Sequence, residues 1–154
     1  MDIGLNIAEG VRVRVGDTLE SITKSMEEHS VEYEIAYVDE RDDNTDMVIF
    51  MQKYGVELNL FNKRIIFIKS NNTAANYIME LADGMNPVIA LTKIRQNLAN
   101  DFNIKTSDVR IDRFDGSSLN SSLSIPVSKR EKVKLELVMG ANSKIYLHSI
   151  ELVR

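Results

Sequence analysis

The first regular pattern in the chain is a strict alternation of apolar and polar residues. Val11, Val13 and Val15 alternate with arginines, which predicts a strand with one solvated face. Asp17 then stands where a helix N-cap is expected, and apolar residues follow at helical spacing to about Glu28. The pattern therefore predicts a strand followed by an amphipathic helix.

Four further strands are predicted before residue 70. Residues 31–38 alternate at first and then become apolar. Met47–Met51 is apolar throughout and is predicted to be a strand covered on both faces. Residues 56–68 alternate on both sides of Asn62 and Lys63, which predicts a hairpin closed by a tight turn at this pair.

The middle of the chain is predicted to be helical. Asn71 or Asn72 is placed to cap a second helix, which is expected to end just before Gly84. Pro87 suits the first turn of a third helix. The N–H groups of a first turn have no partner within the helix, so the missing N–H of proline costs no hydrogen bond there. The predicted buried face of this third helix consists of Leu91, Ile94, Leu98 and Phe102.

Strands return after residue 108, and they are predicted over residues 109–114, 119–127, 132–139 and 144–153. The full order is β-α-β-β-β-β-α-α-β-β-β-β, which predicts an α+β fold of antiparallel β-meanders with a helical middle. The 154 residues are expected to form a single domain. Its two halves, about 1–83 and 84–154, have a similar order of elements, and the pattern leaves open whether they share one sheet.

Composition and charge exclude several classes of protein. The chain has no cysteine, which excludes disulfide frameworks, thiolate catalysis and cysteine-ligated metal centres. The N-terminal residues carry neither the basic region nor the apolar run of a secretory signal, so a cytoplasmic location is expected. Residues 1–77 hold 14 acidic and 8 basic residues, whereas residues 78–154 hold 9 and 11, a balance of -6 against +2. This distribution favours protein partners over nucleic acid.

The sequence contains no recognisable catalytic or metal-binding motif. Asp42, Asn44 and Asp46 match the first positions of a calcium loop, but Met47 and Lys53 stand where glycine and glutamate are required. The sequence also lacks phosphate-binding glycine loops and nucleophile elbows. The chain is therefore expected not to be an enzyme, with no catalytic residue, no metal and no cofactor.

The two histidines offer the weakest chemical hypothesis. His29 falls at the end of the first predicted helix and His148 in the last predicted strand, and neither has a second histidine at metal-ligand spacing. An enzyme site assembled from scattered carboxylates, Tyr146 and His148 is retained as the last-ranked alternative. A deep cleft that holds these groups would be needed to support it.

Residues 10–69 have an order of elements found in known small modules. The segment VGDTLESI, from Val15 to Ile22, leads into the predicted helix, and Tyr54, Gly55 and Val56 open the hairpin. This arrangement resembles the helix-then-meander modules of SmpA/OmlA-type outer-membrane lipoproteins and of β-lactamase inhibitor proteins. The resemblance implies a sheet that binds another protein, and it carries over no functional residue.

The leading functional expectation is a non-enzymatic protein-binding module, of inhibitor or immunity type, that acts through an acidic surface. Carboxylates on such a surface would speed encounter with a basic target, although they also serve simply to keep a domain soluble. The candidate partner-binding residues are Glu32, Glu34, Asp39, Glu40, Asp42, Asp43 and Asp46. No membrane partner is expected.

The alternative is a nucleic-acid-associated accessory protein that uses basic strand faces. Its candidate residues are Arg12, Arg14, Lys129, Arg130, Lys132 and Lys134. This hypothesis requires that these side chains converge on one surface, because phosphate neutralisation depends on clustered positive charge. The pattern of residues alone does not place Arg12 beside Lys132.

Overall fold

Two layers of secondary structure enclose the core of the protein. The computed structural model describes residues 2–38, 45–71, 73–114, 121–140 and 143–154. One layer is a nine-stranded antiparallel sheet, and the other contains two helices and a two-stranded hairpin whose apolar residues pack into the same core. Within the described ranges, no helix is long and apolar enough to cross a membrane.

The first half of the chain supplies the hairpin, one helix and four strands of the large sheet. The hairpin consists of β1 (Gly4–Ala8), which the sequence pattern does not predict, and β2 (Val11–Arg14). The remaining elements are α1 (Leu19–Glu28), β3 (Glu34–Tyr37), β4 (Met47–Met51), β5 (Val56–Phe61) and β6 (Arg64–Ser70).

The N-cap of α1 is Thr18 and not the predicted Asp17. The Thr18 hydroxyl accepts a hydrogen bond from the Ser21 amide at 3.2 Å, as an N-cap side chain does. The Asp17 carboxylate instead accepts the Arg14 amide at 2.9 Å and closes the turn that follows β2. The predicted helix itself is confirmed, and its apolar side is buried.

The predicted hairpin between β5 and β6 is confirmed. Its two turn residues, Asn62 and Lys63, have φ values of 52° and 62°, the left-handed conformation that a type I′ turn requires. Phe61 and Arg64 are directly opposite each other on the two strands. The Asp46 carboxylate accepts the Asn62 amide at 3.0 Å and so stabilises the turn from the side.

The second half of the chain supplies the other five strands of the large sheet and the second helix. In chain order these elements are β7 (Tyr77–Glu80), α2 (Pro87–Phe102), β8 (Arg110–Phe114), β9 (Ser121–Pro126), β10 (Lys132–Met139) and β11 (Lys144–Val153).

The predicted second helix is wrong. Thr73–Asn76 forms only a short 3₁₀ turn, and Tyr77–Glu80 forms β7, which pairs with β11. A short apolar segment does not distinguish strand from helix by periodicity, and β11 offers backbone partners that a short isolated helix lacks. The third predicted helix is confirmed as α2, with Pro87 in its first turn and the Asn86 side chain capping the Val88 amide at 2.8 Å.

Strands from both halves of the chain belong to one sheet. The order is β3-β4-β5-β6-β11-β10-β9-β8, and β7 pairs with the remaining part of the β11 edge. Ile68 on β6 and Ile150 on β11 lie directly opposite each other at the centre, and both are buried. A strand, a helix and a four-strand meander thus occur twice, as β2-α1-β3-β4-β5-β6 and β7-α2-β8-β9-β10-β11. These two units meet through their last strands.

Asn76 ties the segment between β6 and β7 to the hairpin. Its Oδ1 accepts the Asn6 amide at 2.9 Å, and its Nδ2 donates to the Asn6 carbonyl at 2.8 Å. The buried Asn76 side chain therefore bonds to both backbone groups of one β1 residue, as a neighbouring strand would. The hairpin is held to the rest of the molecule by these bonds as well as by apolar packing.

Candidate functional site

The nine-stranded sheet has one face turned away from the helices and the hairpin. Because side chains alternate along a strand, the residues between the buried ones point to this face. On β5, for example, Val56, Leu58 and Leu60 are buried in the core, whereas Glu57 and Asn59 point the other way. We call this surface the open face.

Three side chains lie next to one another at one end of the open face. Glu34 on β3, Phe50 on β4 and Glu57 on β5 are directly opposite in the strand register. Side chains so placed have Cβ atoms about 5 Å apart. Phe50 is 36% exposed, so the prediction that Met47–Met51 is covered on both faces is wrong. We call these three residues the acidic row.

Phe50 forms a ridge between two shallow recesses. The first, of about 460 Å³, is lined in part by Glu32 and Glu34. The second, of about 240 Å³, is lined in part by Glu57 and Lys69. Phe50 therefore lines both recesses, and at least one glutamate lines each of them.

The carboxylates of the acidic row have one cationic neighbour in the described strand register, Lys69, which lies directly opposite Glu57. Neither Glu34 nor Glu57 forms an ion pair with any residue that the structure describes. An aromatic ring attracts a cation over its face, and carboxylates form strong hydrogen bonds to ammonium and guanidinium groups. The acidic row thus has the chemistry to hold a lysine or arginine side chain.

At the opposite end of the open face, the carboxylates have partners within the sheet. The Ser122 hydroxyl donates to Glu136 Oε1 at 2.6 Å, and the Ser124 hydroxyl donates to Asp112 at 3.0 Å. Arg113 forms an ion pair with Glu136 at 3.6 Å. The two carboxylates of β8 and β10 therefore have partners within the sheet, in contrast to those of the acidic row. The four basic residues of these two strands outnumber them.

The middle of the open face is a broad recess of about 670 Å³. Its lining includes Phe61, Ile66 and Phe67, and Glu151 is among the charged residues beside them. Asn59 also lines this recess, and its Oδ1 is buried without a hydrogen-bond partner in the described residues. The open face thus changes from the acidic row, through a middle of mixed apolar and charged residues, to an end whose carboxylates are paired within the sheet.

Three of the seven predicted acidic residues lie within the described ranges. Glu32 and Glu34 are both exposed at the acidic end of the sheet. Asp46 has a structural role instead, because its carboxylate accepts a hydrogen bond from the Asn62 amide in the β5–β6 turn. The remaining four, Asp39, Glu40, Asp42 and Asp43, lie outside the described residues.

Sequence reasoning missed Phe50 and Glu57. A usable signal was present, because only four residues separate Met51 from Val56 and a short connection fixes the register of the two strands. With Met51 opposite Val56, Phe50 must lie opposite Glu57. The contribution of Glu34 depends in addition on the register of β3, which no short connection sets.

The predicted basic residues are divided between the two sides of the large sheet. Arg12 and Arg14 lie on β2, in the hairpin on the helix side, and both bind the Asp2 carboxylate. Lys132 and Lys134 alternate with buried residues of β10 and therefore point to the open face. Lys129 and Arg130 lie in the connection between β9 and β10. The structure does not bring these six residues together on one surface.

Both histidine rings contact backbone carbonyls. His29 Nδ1 lies 2.8 Å from the Ser25 carbonyl oxygen, and His148 Nδ1 lies 2.9 Å from the Ser70 carbonyl oxygen. The part of the chain that the structure describes contains no group of three or more histidine, aspartate or glutamate residues placed to hold a metal ion. The positions of the two histidines are therefore explained by local backbone contacts.

Comparison with known proteins identifies no relative. No family model, no curated protein sequence and no solved structure matches this chain. The open face and its acidic row are therefore the basis on which a function can be proposed.

Proposed function

We propose that this protein is a non-enzymatic binding module whose acidic row contacts a basic surface of another protein. The observation that carries the proposal is the acidic row itself, an exposed phenylalanine ring between two carboxylates that have no ion-pair partner among the described residues. A partner lysine or arginine placed over Phe50 would gain both ring and carboxylate contacts. Opposite charge would also steer the encounter.

An inhibitor or immunity-type role is the specific form of binding that we propose. Stable complexes bury about 1,600 Å² in total, and a wide, lightly curved sheet face is suited to covering that much of a target. The middle of the open face, where Phe61 and Phe67 lie among charged residues, would supply the central part of such an interface. Binding of this kind blocks a target by occupying its surface and requires no catalytic group.

The test replaces the two acidic-row residues that lie away from the sheet edge. The double variant Phe50→Ala with Glu57→Lys is compared with Tyr77→Ala with Glu80→Lys, which removes an exposed aromatic ring and reverses the charge of an exposed glutamate on β7. Tagged proteins are used to capture partners from host lysate treated with nuclease. We expect proteins retained by the wild type and the β7 variant to be depleted about tenfold or more with the acidic-row variant.

Two outcomes would contradict this proposal, provided that circular dichroism and thermal unfolding show both variants to be folded. Equal capture by the wild type and the acidic-row variant would show that the acidic row is not the contact surface. The other outcome is co-purification of nucleic acid, with partners that disappear on nuclease treatment. It would indicate a nucleic-acid-associated protein that binds through basic residues such as Lys132 and Lys134.

A further inference from the structure

The outer edge of β3 is an unpaired strand edge among the described residues. All four residues of β3 are exposed, and the strand pairs only with β4. The Val38 amide donates to the Asp46 carbonyl at 3.1 Å. This bond identifies which residues of the segment direct their backbone groups toward β4. Because bonded and non-bonded pairs alternate in an antiparallel ladder, Ile35 and Tyr37 direct their N–H and C=O groups outward.

A groove accompanies this edge on the helix side of the sheet. It has a volume of about 500 Å³ and lies between the first turns of α1, near Leu19, and Ile35 on β3. Ile35 and Tyr37 stand opposite the buried Ile49 and Met47, so their side chains belong to the helix side. They are nevertheless 38% and 75% exposed, because no other strand of the described ranges covers them.

We propose that an extended segment of a partner protein adds to β3 as a further strand. Two outward N–H groups and two outward C=O groups, two residues apart, match the hydrogen-bonding pattern of an extended backbone. The added strand would place apolar side chains beside Ile35 and Tyr37 and basic side chains beside Glu34 on the open face. The segment is therefore one in which apolar and basic residues alternate.

The negative charge at the β3 edge indicates that the partner segment is basic. Glu32 and Glu34 are exposed at the edge, and neither has an ion-pair partner among the residues described. This part of the inference rests on the proposed function, which also requires a basic partner. The strand addition itself rests on the backbone of β3 and does not depend on Phe50 or Glu57.

A second copy of this chain fits the edge less well than a basic segment does. Antiparallel pairing of β3 with itself about Ala36 would satisfy the same backbone groups, but it would bring together two chain halves with a balance of -6 each. Pairing of β3 with the β8 edge of another copy would be head-to-tail, which gives a ring or an open filament and not a simple two-fold dimer.

The probe is a blocked octapeptide of alternating lysine and valine, with a glutamate–valine octapeptide as the charge control. Amide hydrogen exchange, followed by NMR, reports directly on the outward N–H groups of Ile35 and Tyr37. We expect the lysine peptide to slow exchange at these two amides at least tenfold at saturation, with an affinity that falls as salt is added. The glutamate peptide is expected to leave both amides unchanged.

Ile35→Pro is the decisive variant, with Ile35→Ala as its matched control. Proline removes the outward N–H of residue 35 but no bond to β4, and edge strands tolerate proline at such positions. Both variants lose the isoleucine side chain, and only the alanine variant retains the backbone donor. We expect Ile35→Ala to bind the lysine peptide within a fewfold of wild type and Ile35→Pro to lose the protection at Tyr37.

Four results would overturn the inference. They are unchanged binding of the peptide to Ile35→Pro, no slowing at millimolar peptide, equal binding of the glutamate peptide, and self-association in sedimentation that Ile35→Pro abolishes. The last result would make a second copy the occupant. The Phe50→Ala, Glu57→Lys variant should retain the peptide-induced protection, so failure of the acidic row and failure of the β3 edge are told apart.

Discussion

The carboxylate of Asp2, just before β1, binds two arginine side chains of β2. Its Oδ1 accepts hydrogen bonds from Arg12 Nε at 3.2 Å and from Arg14 Nε, and its carbonyl accepts Arg12 Nη2 at 3.0 Å. Burial acts to raise the pKa of Asp2, but the hydrogen bonds from Arg14 and Arg12 outweigh it and hold the pKa below its usual value. Two arginines that the sequence offers as nucleic-acid ligands are thus engaged inside the hairpin.

The lowered pKa of Asp2 predicts a pH-dependent contribution to stability. A carboxyl whose pKa is lower in the folded state stabilises the fold above its unfolded pKa, and this stabilisation is lost as the pH falls through the folded value. We expect Asp2→Asn to lower the free energy of unfolding at pH 7 by no more than about 1 kcal/mol, because the group is partly solvated. In urea titrations, the difference from wild type should shrink below about pH 4. A difference that stays constant down to pH 2 would contradict this assignment.

At the scale of elements, the Asn76 side chain acts as a substitute for a strand. The segment between β6 and β7 leaves the sheet, and Asn76 uses its amide to pair with the backbone of Asn6 on β1. The Asn76 side chain is buried although Asn6 is exposed, so these two bonds also satisfy the buried amide of Asn76. The position of the hairpin therefore depends in part on one side chain that no periodic pattern reveals.

Replacement of Asn76 is expected to be costly. Asn76→Ala removes two hydrogen bonds to the backbone of Asn6, and because Asn6 is exposed to water we expect a loss of about 1–2 kcal/mol in the free energy of unfolding. Asn100→Ala, at an exposed position of α2, is the control and should change stability by less than about 0.5 kcal/mol. Chemical denaturation of the purified variants measures both values. Similar losses in the two variants would mean that the hydrogen bonds to Asn6 contribute little.

Local sequence patterns predicted the elements that local forces determine. The β5–β6 hairpin is an example, because Asn62 and Lys63 adopt the turn conformation that fixes their two strands. The local pattern of residues 77–80 predicts a helix. These residues form a strand because they pair with β11, which is distant in sequence. The acidic row shows the same limit, since Glu34 and Glu57 become neighbours of Phe50 only through the registers of two strand pairs.

For the molecule as a whole, the central pair of strands joins the two strand–helix–meander units. Ile68 and Ile150 are fully buried and lie directly opposite each other at this junction. Long-range pairing of β6 with β11 brings together segments about 80 residues apart, which a local pattern does not predict. Because both units contribute to the same packed centre, we expect them to unfold together.

Ile150→Ala tests this coupling. The substitution removes buried methyl groups and is expected to cost about 3 kcal/mol while leaving one unfolding transition. Ile111→Ala, on the edge strand β8 where the side chain is 43% exposed, should cost clearly less. Urea unfolding followed by circular dichroism, with hydrogen exchange on the same variants, measures cooperativity. Two separate transitions, or loss of protection confined to β7–β11, would show that the units are independent.

In terms of assembly, the large sheet has the arrangement of a symmetric dimer whose subunits are covalently joined between β6 and β7. The covalent connection replaces an association step, so the pairing at the centre does not depend on protein concentration. It also frees the two outer ends from carrying the same side chains. One end has the acidic row, and at the other end the carboxylates have partners within the sheet. The molecule therefore offers its acidic row once, where a true dimer would offer it twice.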